Sequence, residues 1–286
     1  MSTTKSINVT EAIKRYLKSE ENRNLSYHYT RTLKHHLTEF AKLYGTRQIM
    51  SITLEDANRF LAKIPVPRTR VNYVGSLKNF GRWAQDSDYI PYDRRTFADC
   101  IKRPRIVVNE PEFFSAEEMR RLFRSASKMP EKYEWLLSLL IFGGFVGIRT
   151  SEICRLKWTD ILLEHHSVRL SQTITKTQRR RIADIPPNAV EWIEAIKHRA
   201  GPLIPQNLIP NLNRYTALLI KDSGVNWKGN GLRHSYVTYA MAKERNAWQV
   251  SEQVGNSPSI LQVHYKGLVL PSEAEEWFNI TPNNTL

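Results

Sequence analysis

Four residues far apart in the chain have side chains suited to one reaction: Arg149 in GIRTSEICRLKW, Lys176 in TKTQRRR, Arg233 in GLRHS and Tyr265 in VHYKG. Two guanidiniums and an ammonium can grip a phosphodiester and neutralise the charge that grows on it during a displacement. A phenolic oxygen can attack the phosphorus and hold the product as an ester. An unperturbed phenol has a pKa of about 10, so attack near neutrality needs nearby cations or a proton acceptor. His264 is one candidate acceptor, although adjacent side chains usually diverge. Glu152 follows Arg149 by three residues on the same helical face, where a carboxylate can orient the guanidinium or form an ordinary surface pair.

These segments resemble the boxes of the tyrosine recombinase (phage integrase) family. GIRTSEICRLKW is similar to its first arginine box, and the basic stretch from Lys176 to Ile-Pro is similar to its lysine-bearing hairpin. NGLRHS resembles its His-x-x-Arg box, with Asn230 where most of the family carries histidine. Asn256 stands at the next histidine-or-tryptophan position, nine residues before Tyr265, and Tyr265 follows Arg233 by 32 residues, a common family separation. Asparagine can donate a hydrogen bond to phosphate but cannot exchange a proton near neutral pH. His234, pointing to a different helix face from Arg233, reads as structural.

The resemblance implies a mainly α fold with a small β-sheet or hairpin, in two domains that close as a C-shaped clamp on double-stranded DNA. It implies that Tyr265 attacks to give a 3′-phosphotyrosyl link and a free 5′-hydroxyl. Arg149 and Arg233 would stabilise the phosphorane, Lys176 would act as general acid, and Asn230 and Asn256 would donate hydrogen bonds. Neither ATP, metal nor any other cofactor is implied. A homo-tetramer on two DNA sites is implied, with accessory DNA-bending proteins as further partners. The segment PSEAEEWFNI, with Trp277 and Phe278, would dock on a neighbouring subunit or pack on its own domain. Two rivals keep the same DNA contact: a type IB topoisomerase-like nicking and resealing enzyme, and a decayed DNA-binding protein motivated by the two asparagines.

The elements that must position these residues are legible in outline. The chain has 286 residues, 41% of them hydrophobic, a length that suggests two domains. Its net charge of +14 favours a polyanionic partner, nucleic acid first, although acidic membranes and ribosomal RNA also fit. The charge is spread: 20 basic against 12 acidic residues over 1–112, and 22 against 16 over 113–286. Cys100 and Cys154 cannot form a disulfide framework, which suits a reducing compartment and a cytoplasmic, nucleoid-associated protein. The N-terminus lacks a secretory apolar core, and WLLSLLIFGGFVGI is too short to span a bilayer, so it reads as a buried helix entering a turn.

Residues 1–105 read as a helical core-binding domain, with apolar positions such as Ile13, Tyr16 and Leu17, then Leu33, Leu37, Phe40 and Tyr44, at helical spacing. Thr53 reads as an N-cap, and the helix through TRVNYVGSLKNFGRWAQ carries Arg70, Lys78 and Arg82, which either meet phosphate or form a solvated face. Residues 106–113 read as a linker and 114–286 as the catalytic domain, beginning with Ser115 as a cap. Residues 166–186 alternate as a hairpin, where Arg179, Arg180 and Arg181 can contact the DNA backbone. GGFVG lacks a phosphate-loop pattern, Glu164, His165 and His166 do not complete a metal set, and no Gly-x-Ser-x-Gly is present.

Overall fold

The computed structural model describes residues 5–21, 23, 25–106, 109–175, 179–197 and 199–286. The chain divides into two compact units, one up to Val108 and one from Asn109.

In the first unit, helices α1 (Val9–Glu21), α2 (Tyr27–Tyr44), α3 (Leu54–Ala62) and α4 (Pro67–Asp86) enclose an aromatic-rich core. Apolar side chains three and four apart give each helix one buried stripe, as with Leu33, Leu37, Phe40 and Tyr44 on α2. Thr53 and Asp56 form a reciprocal capping box at the start of α3, and Pro67 opens α4 where no N–H bond is lost. Phe40 stacks on Phe97 at 5.8 Å, which ties the segment after α4 back to the bundle.

Near the start of the second unit, the Phe114 N–H donates to Ser235 Oγ at 2.7 Å and its carbonyl accepts from Tyr239. Helix α5 (Ala116–Lys128) starts with a capping box between Ser115 and Glu118. All ten residues of α6 (Trp135–Gly144) are buried, as its unbroken apolar run requires, and no described helix is long and apolar enough to cross a membrane. The short α7 (Thr150–Ile153) follows. The helix that carries Arg149 and Glu152 ends early because Leu156 is drawn into the core and Lys157 bridges to Pro202.

Strands β1 (Ile161–Leu162), β2 (Ser167–Leu170) and β3 (Arg181–Asp184) form an antiparallel sheet in that order, with Val168 paired to Ala183, both fully buried. Helices α8 (Pro187–Glu194), α9 (Leu212–Ser223), α10 (Gly231–Glu244), α11 (Ala247–Val254), α12 (Pro258–Tyr265), α13 (Pro271–Phe278) and α14 (Pro282–Thr285) complete the unit. Helix α10 is central, packed against α6, α11, α12 and α13.

The segment PSEAEEWFNI places its tryptophan in the core of its own unit. Trp277 is fully buried, donates its indole N–H to the Gly144 carbonyl at 3.2 Å and stacks on Tyr239 at 4.4 Å. An indole buried with its polar tip satisfied is a core residue, so the expectation of a neighbour-docking anchor gives way to its alternative.

Candidate active site

Arg149 reaches its position through a sharp turn after α6. Gly147 has φ +75°, and a Cβ there would meet the Tyr236 ring at 2.3 Å, so only glycine fits. Arg149 then caps α7, with Glu152 wholly buried beneath it. Its Nη1 donates to Glu152 Oε1 at 3.1 Å, and its Nη2 donates to the Gly255 carbonyl at 3.0 Å and to Asn256 Oδ1 at 2.7 Å.

Arg233, in the first turn of α10, donates Nη1 to the Gly147 carbonyl at 2.5 Å and Nη2 to the Val254 carbonyl at 2.6 Å. The same Nη2 donates to Asn256 Oδ1 at 3.1 Å. Burial, reinforced by the cations of Arg149 and Arg181, pulls its pKa down to about 9, which still leaves it charged at neutrality. Asn256 therefore accepts from both guanidiniums through one oxygen, whose two lone pairs suffice. The sequence suggested a phosphate donor at this position; the donor that remains is the Nδ2 group alone.

Tyr265 ends α12 and is 7% exposed. Its hydroxyl lies 2.6 Å from His234 Nδ1, and the two rings stack at 5.8 Å. Burial pushes the Tyr265 pKa up, with Arg233 opposing the shift; burial and Arg233 both push that of His234 down. Both groups are thus neutral near pH 7. Sequence reasoning passed over His234 and considered His264 instead, which does not line the cleft. The position of α12 against α10, which no local pattern discloses, decides between them.

Arg149, Asn230, Arg233, His234, Asn256 and Tyr265 line one cleft of about 760 Å³ with Cys154, Arg155 and Gln206. Asn230 is exposed there in the left-handed region (φ 56°, ψ 14°), a conformation asparagine tolerates better than most residues. Lys176 lies outside the described residues. Arg179 and Arg180 are exposed just before β3.

Arg181 corrects the reading of the basic run as three DNA contacts. Its side chain, 10% exposed, points inward, with Nη2 on Glu152 Oε2 at 2.7 Å and Nε on the Gln253 carbonyl at 3.2 Å. Glu152 thus holds two arginines rather than one. In the first unit Arg70 also spends its guanidinium on protein, donating from Nε and Nη2 to the Ile64 carbonyl at 3.0 and 2.6 Å. Lys78 reaches the Asp99 carbonyl at 3.4 Å, and Arg82 is exposed. Among the described residues no group of three or more His, Cys, Asp or Glu side chains is placed to hold a metal ion.

The family model described as the phage integrase family matches residues 112–258. A tyrosine recombinase of Thermosipho africanus is 25% identical over 254 residues, covering 80% of this chain and 86% of the relative. Tyrosine recombinase XerA of Pyrococcus horikoshii is 23% identical, over 76% of each chain. Among solved structures, the fold is similar to a lambda integrase dimer bound to a core site (TM-score 0.72, 15% identity, 92% of this chain and 98% of that one). It is also similar to the Tn1549 transposon integrase in complex with a circular intermediate DNA (TM-score 0.71, 17% identity, 94% and 98%). With its signature boxes inside the matched span or just beyond it, the chain belongs to the phage integrase family, the tyrosine recombinases that act on DNA.

Proposed function

We propose that this recombinase cleaves and rejoins duplex DNA through a 3′-phosphotyrosyl intermediate on Tyr265. The observation that carries the reading is the convergence of Arg149, Arg233, Asn256 and Tyr265 on one cleft, with the Asn256 oxygen holding both guanidiniums. Two cations held in advance toward one open site stabilise a pentacovalent phosphorane without reorganising as its charge develops. Each still has at least one N–H to offer, because a guanidinium carries five donors.

Tyr265 Oη forms the new bond to phosphorus as the bond to the 5′-oxygen breaks, and the bond energy stays in the ester for the later return attack. Lys176 protonates the departing oxygen, the role its family box implies. Asn230 and the Nδ2 group of Asn256 donate to the non-bridging oxygens. Glu152 sets Arg149 from below. Residues 1–105 act as the core-binding domain, where Lys78 and Arg82 meet the DNA backbone, and 114–286 as the catalytic domain, where Arg179 and Arg180 do so. The working assembly is a homo-tetramer on two sites; a lambda integrase tetramer bound to a Holliday junction, of similar fold at 15% identity, supports that arrangement by analogy.

The test is an SDS-resistant adduct on nicked suicide duplexes drawn from DNA flanking the protein's own gene. Wild type should form the adduct and Tyr265→Phe should not. An adduct that persists in Tyr265→Phe would move the nucleophile elsewhere.

A further inference from the structure

We infer that His234 is a catalytic residue of the cleavage step: its Nδ1 takes the phenolic proton of Tyr265 as the oxygen attacks phosphorus. The inference rests on the reading of Tyr265 as nucleophile and adds to it a proton acceptor that the family boxes do not assign here. Its ground is geometric. The Tyr265 hydroxyl and His234 Nδ1 are 2.6 Å apart, within hydrogen-bond reach, and the ring stacking fixes the approach. Both side chains line the cleft that holds the two arginines.

The alternatives around the cleft lack the chemistry. Asn230 and Asn256 cannot take up a proton near neutral pH, and the oxygen of Asn256 is already committed to two guanidiniums. Glu152 lies fully buried between Arg149 and Arg181. Among the described residues, His234 alone pairs a titratable nitrogen with the attacking oxygen, and its lowered pKa keeps it neutral, hence able to accept, at pH 7. In the tautomer protonated at Nε2, Nδ1 presents its lone pair to the hydroxyl.

The step balances. The bond from Tyr265 Oη to phosphorus forms and the bond from phosphorus to the 5′-oxygen breaks. The phenolic proton moves to Nδ1, and the departing 5′-oxygen takes a proton from Lys176, as in the proposed function. In rejoining, the imidazolium returns its proton to Tyr265 as the phenolate leaves.

The charged group acting on His234 is Arg233, on its own helix, and Tyr265 is the titratable group facing it from α12. The carboxylates near α10 bear on other residues: Glu244 and, from β3, Asp184 on Tyr236, and Glu273 and Glu276 of α13 on Tyr239. Protonation of His234 alone should therefore shape the acid limb. Cleavage should fall as pH drops through a value below the ordinary histidine pKa of about 6.5.

The experiment measures single-turnover cleavage on the same suicide duplexes, with a normal and with a bridging 5′-sulfur leaving group. His234→Asn places an amide oxygen where Nδ1 stands, so it preserves the hydrogen bond and removes only basicity. A drop of about 100-fold, a flattened acid limb and no relief by the sulfur substrate are expected. A wild-type rate in His234→Asn overturns the inference. So does full rescue by sulfur, which would place His234 on the leaving group. If the variant does not fold, wild type on the sulfur substrate decides: its profile between pH 4 and 6.5 must rise, and a flat one overturns the inference. A wild type that forms no Tyr265-dependent adduct removes the proposed function and this inference together, whereas an adduct formed equally fast by His234→Asn removes the inference alone.

Discussion

Replacing Arg181 by methionine separates two readings of the basic run. Methionine keeps an unbranched apolar stem but loses the guanidinium that meets Glu152 at 2.7 Å. Removing one partner of a buried pair costs about 3–5 kcal/mol, because the other charge is left poorly compensated. Glu152 keeps Arg149 at 3.1 Å, so the lower end, about 3 kcal/mol, applies. A unit of roughly 180 residues has an unfolding entropy of about 0.4 kcal/mol per kelvin, which converts that loss into a fall of about 8 °C in its melting temperature. The dependence of duplex binding on salt should not change. A true phosphate contact would behave in the opposite way: its loss would lower the slope of log K against log salt by about 0.9 and leave stability untouched. Calorimetry on the full chain, with salt titrations of duplex binding, reads both quantities. An unchanged melting temperature with a reduced slope would refute the inward placement argued for Arg181.

Two further outcomes follow from the geometry. Asn256→Leu keeps the branching at Cγ but removes the oxygen shared by Arg149 and Arg233. Cleavage should fall by about 100-fold or more with duplex affinity nearly unchanged, since the shared oxygen sets geometry rather than attraction, and an unaltered cleavage rate would show that the bridge positions nothing. Trp277→Ala should lower stability by about 3–5 kcal/mol in urea unfolding, independently of protein concentration, as expected for a large cavity within one unit. Unchanged stability with weakened assembly on DNA would instead place this helix on a neighbouring subunit.

What was legible in the sequence and what was not divides along a physical line. Local chemistry was readable: the Thr53 and Ser115 caps, the wholly apolar α6 and the alternation of β2 and β3 each follow from side chains within a few residues. The partner choice of charged groups depended on register and helix placement. In the run RRRIADI the period of two puts Arg181, Ala183 and Ile185 on one face, and pairing of Leu170 with Arg181 makes that face the buried one. Ile182 is accordingly 63% exposed while an arginine points inward, a choice that charge alone argues against and that the buried Glu152 carboxylate makes favourable.

The two asparagines pose the same problem at the site itself. Read alone, each is a histidine that lost its proton chemistry, and together they suggest decay. Placed in the fold, they differ from one another. Asn256 accepts from two arginines at once, a task a protonated imidazole cannot perform, because both of its nitrogens are then donors. Asn230 sits in the left-handed turn that starts α10, four residues before His234, whose imidazole meets the Tyr265 hydroxyl. If His234 carries the proton, a neutral residue at 230 also spares it a second titrating neighbour. Any imidazolium there would depress the basicity of His234 further, beyond the effect of Arg233. Asparagine at 230 and histidine at 234 are then parts of one arrangement, in which the proposed proton acceptor stands one turn along α10 from Asn230.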